Sequence, residues 1–226
     1  MRTTLFSAHR TLDLVLNVLF SPCCPICDER PAYSSGICSD CLSRIPLSSS
    51  PIKTYDNDPD IIWSCTPYEG IIRKCLHELK YRGNDQMNRI FFEILNDLPV
   101  KKIFSENHID LIIPVPLHRE RYKYRGFNQT LIFSGFLSDL SGIRVDTDLL
   151  LRVRHSRPQT GLSRQERIDN ITKNVFSVSY PERVKNKTIV LVDDVLTTGT
   201  TMKRCAKVLL GSGANSVYGF TIAKTM

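Results

Sequence analysis

The sequence predicts an α/β fold, a mostly parallel sheet flanked by helices, and three observations carry that expectation. Thr188–Val192 is an unbroken apolar run rich in β-branched residues, and Ile109–Ile113 is a second short run; both fit strands buried on two faces. Stretches with apolar residues at helical spacing lie between and after them, as at Leu131, Ile132, Phe133, Phe136, Leu137 and Leu140. Each run also ends on a polar or proline-rich turn. Alternation of this kind builds parallel sheets.

At 226 residues, 42% hydrophobic and 23% charged, the chain has enough material for one core and a small appendage. Wholesale disorder is excluded by that balance. The net charge of +7 favours anionic partners without choosing among nucleic acid, phosphorylated metabolites and membrane.

Residues 1–22 predict an amphipathic helix, with Leu5, Ala8, Leu12, Val15, Leu16 and Leu19 on one side. The apolar run Leu12–Phe20 is interrupted by Asp13 and Asn17, has no A-x-A-like cleavage site after it and is too short to span a bilayer. Packing on the protein itself is the favoured reading, with a membrane-surface helix as the alternative. A cytoplasmic protein without a transmembrane segment is expected.

Residues 23–50 hold the most specific local signal of the first half. Cys24, Cys27, Cys38 and Cys41 form C-x2-C-x10-C-x2-C, two knuckles that each offer two thiolates to a tetrahedral metal. Structural Zn²⁺ is the expected occupant. The rival, a pair of disulfides or redox-active C-x-x-C pairs, lacks a secretion signal or an adjacent thioredoxin-type βαβ pattern. Cys23 is a spare thiol, while Cys65, Cys75 and Cys205 lie in apolar surroundings expected to be core.

The polar and proline-containing stretch 47–60 reads as a linker, and residues 51–226 as the main domain. A strand is expected at Ile61–Thr66, a helix carrying Ile71, Ile72, Cys75, Leu76 and Leu79, and another over Gln86–Leu98. After Ile113, Pro114-Val115-Pro116 ends the strand, and a basic, aromatic loop follows from His118 to Gln129. Leu151–Arg164 is a second basic stretch without apolar periodicity, expected to be a long functional loop. Met202, Cys205, Ala206 and Leu209 mark a helix, and Ser216–Ala223 the last strand.

The chemistry is concentrated after Thr188–Val192. Asp193 and Asp194 follow that strand, then Val195, Leu196 and a turn of hydroxyls around one glycine, Thr197-Thr198-Gly199-Thr200-Thr201. Such a turn at a helix N-terminus suits a phosphate, and Gly199 lets the backbone come close. Carboxylates beside a phosphate must face its neutral neighbours, and the vicinal hydroxyls of a ribose can each donate to one. Strand, acid pair and turn together ask for a ribose 5-phosphate at the carboxyl end of the sheet.

Leu191–Thr201 resembles the phosphoribosyl-pyrophosphate (PRPP) signature of type I phosphoribosyltransferases. The four cysteines followed by Tyr68-Glu69-Gly70, Leu79-Lys80-Tyr81-Arg82-Gly83, Pro114-Val115-Pro116, Arg125-Gly126-Phe127-Asn128-Gln129 and Gln159-Thr160-Gly161-Leu162-Ser163 resemble the ComF competence-protein family, which includes the GntX proteins. The resemblance implies a type I phosphoribosyltransferase fold preceded by a small N-terminal helix and a zinc-binding segment. It implies that Asp193 and Asp194 hold ribose hydroxyls, that Thr197, Thr198, Gly199, Thr200 and Thr201 hold the 5-phosphate, and that Leu117, His118 and Arg119 sit at the pyrophosphate. Arg119, Arg125, Arg154 and Arg164 are the candidates for stabilising departing charge, with Arg125 placed among the catalytic residues. Mg²⁺ would arrive with PRPP.

The implied activity is transfer of ribose 5-phosphate from Mg·PRPP to an acceptor with release of pyrophosphate, linked to DNA uptake. The alternative is a non-enzymatic DNA-uptake component that keeps the PRPP-type site as a sensor or dock. In that case Arg121-Tyr122-Lys123-Tyr124-Arg125 and Phe127 touch single-stranded DNA, and DNA-uptake proteins are partners. The acceptor, purine, pyrimidine, amine or macromolecule, is left open.

Overall fold

The computed structural model describes residues 23–29, 37–48, 51–53, 59, 61–82, 85–153 and 175–225. The predicted helix over 1–22 lies outside them, as do Arg154, Arg164 and the Gln159–Ser163 stretch. In chain order the elements are α1 (Ser39–Ser43), β1 (Pro51–Lys53), β2 (Ile61–Pro67), α2 (Gly70–Arg82), α3 (Asp85–Asn96), α4 (Val100–Glu106), β3 (Leu111–Pro114), α5 (Arg119–Arg125) and α6 (Gln129–Ser141). There follow β4 (Leu150–Arg152), β5 (Phe176–Val178), α7 (Pro181–Val184), β6 (Thr188–Leu196), α8 (Thr200–Gly211) and β7 (Ser216–Lys224).

Five strands form the main sheet in the order β1-β2-β7-β6-β3, with β2, β7, β6 and β3 parallel and β1 antiparallel at one edge. Side chains of β6 alternate between two cores. Val190 and Val192 join a cluster with Phe91, Phe104, Phe133 and Phe220, while Ile189 and Leu191 join one with Met202, Cys205 and Leu209 of α8. Coverage of both faces explains why β6 is an uninterrupted apolar run. In the first core Phe91 meets Phe133 edge-on with ring centres 5.1 Å apart, which ties α3 to α6. Cys24, Ile37, Cys38, Cys41 and Ile45 are buried in that same core, so the cysteine segment packs directly on the main body.

Three local features differ from the sequence expectation. Residues 51–53 are a strand rather than part of a linker, pairing Ile52 with Ile62 and covering the edge that β2 would otherwise expose. The basic stretch after Leu117 contains helix α5; it is polar on every side, with no buried residue, and so carries no apolar period. Its ends do carry signals. His118 Nδ1 accepts from the Glu120 amide, and Gly126 closes the helix in the left-handed conformation at φ 79°. Finally, β6 continues through the two acids to Leu196, because β7 partners it as far as Lys224.

Candidate functional site

The acids sit at the carboxyl end of β6, where β3 and β7 flank it. Around them is a cleft of about 410 Å³ lined by Asp193, Asp194, Thr197 and Thr201, by Val115, Pro116 and Leu117 after β3, and by Arg121 and Arg125 of α5. Lys80 of α2, Gln129 of α6, Arg152 of β4 and Tyr68 also face it. The sheet therefore brings together Asp193, Asp194, Leu117, Arg125, Thr197 and Thr201 from the sequence-derived set. Gly199 and Thr200 lie with Thr197, Thr201 and Asp193 around a small adjoining cavity. Thr198 is exposed, its hydroxyl 2.9 Å from that of Thr200.

His118 and Arg119 do not line the cleft. The cation presented by α5 comes instead from Arg121 and Arg125, which are four residues apart and share a helix face that Arg119 does not. Gly199 caps α8 with φ 71° and brings no side-chain acceptor. A side chain there would be strained, and the glycine leaves the helix N-terminus open toward the turn.

Asp194 is buried and its Oδ2 is doubly engaged. The Gln129 side-chain amide donates to it at 2.5 Å, and the Lys80 ammonium lies 2.6 Å away. Asp193 Oδ1 accepts from the Asp194 amide at 2.8 Å. Burial, and after it the neighbouring Asp194 charge, raise the Asp193 carboxyl from its ordinary range to about 7, against the opposing influence of that amide, Lys80 and Arg152. Lys80 and Gln129 were within reach of sequence reading only as members of Leu79-Lys80-Tyr81-Arg82-Gly83 and Arg125-Gly126-Phe127-Asn128-Gln129; nothing local marks either as facing an acid.

A patch of rings adjoins the cleft. The His77 and Tyr81 rings are 4.7 Å apart, Tyr81 and Tyr124 meet edge-on at 6.2 Å, and Arg125 lies over Tyr81. Tyr122 and Tyr124 are exposed, as expected of residues available for stacking, whereas Phe127 is packed against the main core.

The four cysteines form a separate centre. Their sulfurs all lie within 4.8 Å of one another, with Cys27 and Cys38 sulfurs 3.8 Å apart. A tetrahedron with Zn–S arms of ~2.3 Å has edges of about 3.8 Å, so the cage fits that ion. Burial would raise the Cys24 thiol, but backbone N–H groups of Cys38, Cys27 and Ile26 aimed at the sulfur outweigh it and bring the thiol down to about 7. Burial and the neighbouring thiols raise Cys41. Cys65, Cys75 and Cys205 are buried as expected of core residues. Among the described residues no helix is long and apolar enough to cross a membrane.

Comparison with known proteins agrees with this geometry. Residues 131–224 match the family model described as phosphoribosyl transferase domain, a span that includes β6, the acids, the turn and β7. DNA utilization protein YhgH of Escherichia coli O6:H1 is 29% identical over 90% of this chain and 84% of its own length. Competence protein F of Haemophilus influenzae is 28% identical over 90% of this chain and 85% of its own. Competence protein ComFC of Bacillus subtilis is 25% identical over 89% and 78%. Together with the four-cysteine cage, these matches make the chain similar to the YhgH and ComF-type proteins over most of its length, with a phosphoribosyltransferase fold.

Proposed function

We propose that the cleft binds Mg·PRPP and that the protein transfers ribose 5-phosphate to an acceptor with release of pyrophosphate. The observation that carries this reading is the convergence, on one cleft, of the acid pair, Thr197 and Thr201 at the two ends of the turn, and the cations Arg121, Arg125 and Arg152. The turn and the α8 N-terminus hold the 5-phosphate. Asp193 and Asp194 accept from the ribose hydroxyls. The arginines stabilise the charge on the leaving pyrophosphate as its bond to the anomeric carbon breaks and the acceptor's bond forms. Mg²⁺, reaching the cleft on the pyrophosphate oxygens, would supply charge neutralisation there. In this reading residues 51–226 are the phosphoribosyltransferase-like domain, residues 23–50 are a zinc-bearing segment and the setting is the cytoplasm, where thiols stay reduced. Isothermal calorimetry with the zinc-loaded full chain tests it: Mg-dependent PRPP binding is expected, and its absence removes the reading.

The ring patch favours a second function for the neighbouring surface. Tyr81, Tyr122 and Tyr124 are exposed beside Arg121, Lys123 and Arg125, the mixture of ring faces and cations on which single-stranded DNA stacks and tracks. It rests on the same protein serving DNA uptake. Binding of a labelled oligonucleotide that weakens steeply with salt is expected; salt-insensitive or absent binding rejects it.

A further inference from the structure

The acid pair has an unusual division of labour among its four carboxylate oxygens. Asp194 Oδ2 is held by both Lys80 and Gln129, and Asp193 Oδ1 by the Asp194 amide. Among the described residues no hydrogen bond or ion pair reaches the remaining oxygen of either residue. One free acceptor on each of two adjacent aspartates matches two adjacent hydroxyl donors. A carboxylate free to rotate would not keep that match.

We propose that Lys80 is a positioning residue of the ribose site: with Gln129 it pins one oxygen of Asp194, so that the pair presents two fixed acceptors to a vicinal diol. The proposal rests on the PRPP reading for its ligand but not for its geometry. Lys80 is suited to the task because α2 holds its side chain inside, 14% exposed, against an Asp194 side chain 13% exposed, so water screens the contact little. It also adds the positive charge that a pair of neighbouring acids lacks. The groups facing Asp193 are Asp194 on its own strand, Lys80 from α2, Arg152 from β4 and Cys205 from α8, with Arg121 and Arg125 of α5 across the cleft. Burial and Asp194 push the Asp193 carboxyl up, while Lys80 pulls it down. Removing Lys80 therefore moves its titration upward.

The test uses the full zinc-loaded chain, first without ligand. Aspartate carboxyl carbons are followed by NMR across pH in the parent protein, Lys80→Met, Lys80→Gln and Lys80→Arg. In Lys80→Met the Asp193 midpoint is expected to rise measurably, because an opposing positive charge is removed. Lys80→Gln, which keeps a donor but not the charge and guards against misfolding of the methionine variant, should do likewise, and Lys80→Arg should restore the parent midpoint. An Asp193 midpoint unchanged in both neutral variants overturns the proposal. The second arm compares binding of ribose 5-phosphate and 2-deoxyribose 5-phosphate: the parent should favour ribose by tenfold or more and Lys80→Met should narrow the ratio. A ratio left intact also overturns it. If the midpoint moves and the ratio narrows but Mg·PRPP binds none of the proteins, the positioning role stands and the PRPP reading alone fails.

Discussion

Arg125 stands over the Tyr81 ring, its guanidinium carbon 5.2 Å from the ring centre, while one of its nitrogens reaches Gln129 Oε1 at 3.4 Å. The same side chain thus borders both the ring patch and, through Gln129, the acid pair. Separate substitutions should part the two. Asp194→Asn removes a carboxylate from the cleft and is expected to weaken Mg·PRPP binding at least tenfold, matching ~1.5–3 kcal/mol for a hydrogen bond to a charged group. Tyr81→Ala should leave that affinity within about twofold and weaken single-stranded DNA binding by ~1–3 kcal/mol, the worth of one stacked base. Calorimetry and fluorescence anisotropy on the same samples give both numbers; equal loss of both ligands in Asp194→Asn, with the fold intact, refutes separate sites.

Helical phase separates the arginines of α5. Arg121→Ala should weaken Mg·PRPP binding about tenfold, whereas Arg119→Ala, two residues earlier and off the cleft, should change it by less than about twofold. The measurement is the PRPP dissociation constant at fixed ionic strength. Similar losses in both variants would mean that the field of the basic helix, rather than contact, is what the ligand feels.

Metal analysis should give one Zn²⁺ per chain. Cys27→Ser opens the cage at the sulfur 3.8 Å from that of Cys38 and is expected to lose the ion. Because Cys24, Cys38 and Cys41 are part of the main core, the loss should lower the thermal midpoint of the whole domain and not merely loosen the N-terminal segment. A metal count that stays at one in this variant removes the cage from the zinc assignment.

Asp193 makes a pH prediction with a definite sign. Its folded carboxyl titrates at about 7, above the ordinary unfolded value, so between roughly pH 4 and 7 the folded protein holds a proton that the unfolded chain does not. Its contribution to stability is therefore most favourable below the unfolded value, falls as pH rises through that window and levels off above about 7. Urea unfolding at pH 5, 6, 7 and 8 should show less of this decline in Asp193→Asn than in the parent. An unchanged slope would show that Asp193 is already ionised at pH 5.

Much of the fold was legible because β6 is buried on both faces and helices α6 and α8 carry one apolar stripe each. Asp193, Asp194 and the turn were legible for a related reason, since strand, acids and helix start are contiguous in the chain. Lys80 and Gln129 were not. They lie on α2 and α6, and only the packing of those helices over the sheet carries them to Asp194, a long-range fact with no local period. Helix α5 escaped because an exposed helix shows no apolar stripe, and β1 because three residues are too few to display alternation.

Helix α2 touches both centres. Cys75 is buried in the same core as Cys24, Cys38 and Cys41 of the sulfur cage, and five residues later Lys80 grips Asp194. The span between them is about 7.5 Å along a single rod, too short to bend independently at its ends. A chelator or thiol oxidant acting on the cage would therefore tilt a strut whose far end holds Asp194 of the acid pair. Cellular zinc supply and redox state would then be felt as a change in how firmly Asp194 is held in the cleft.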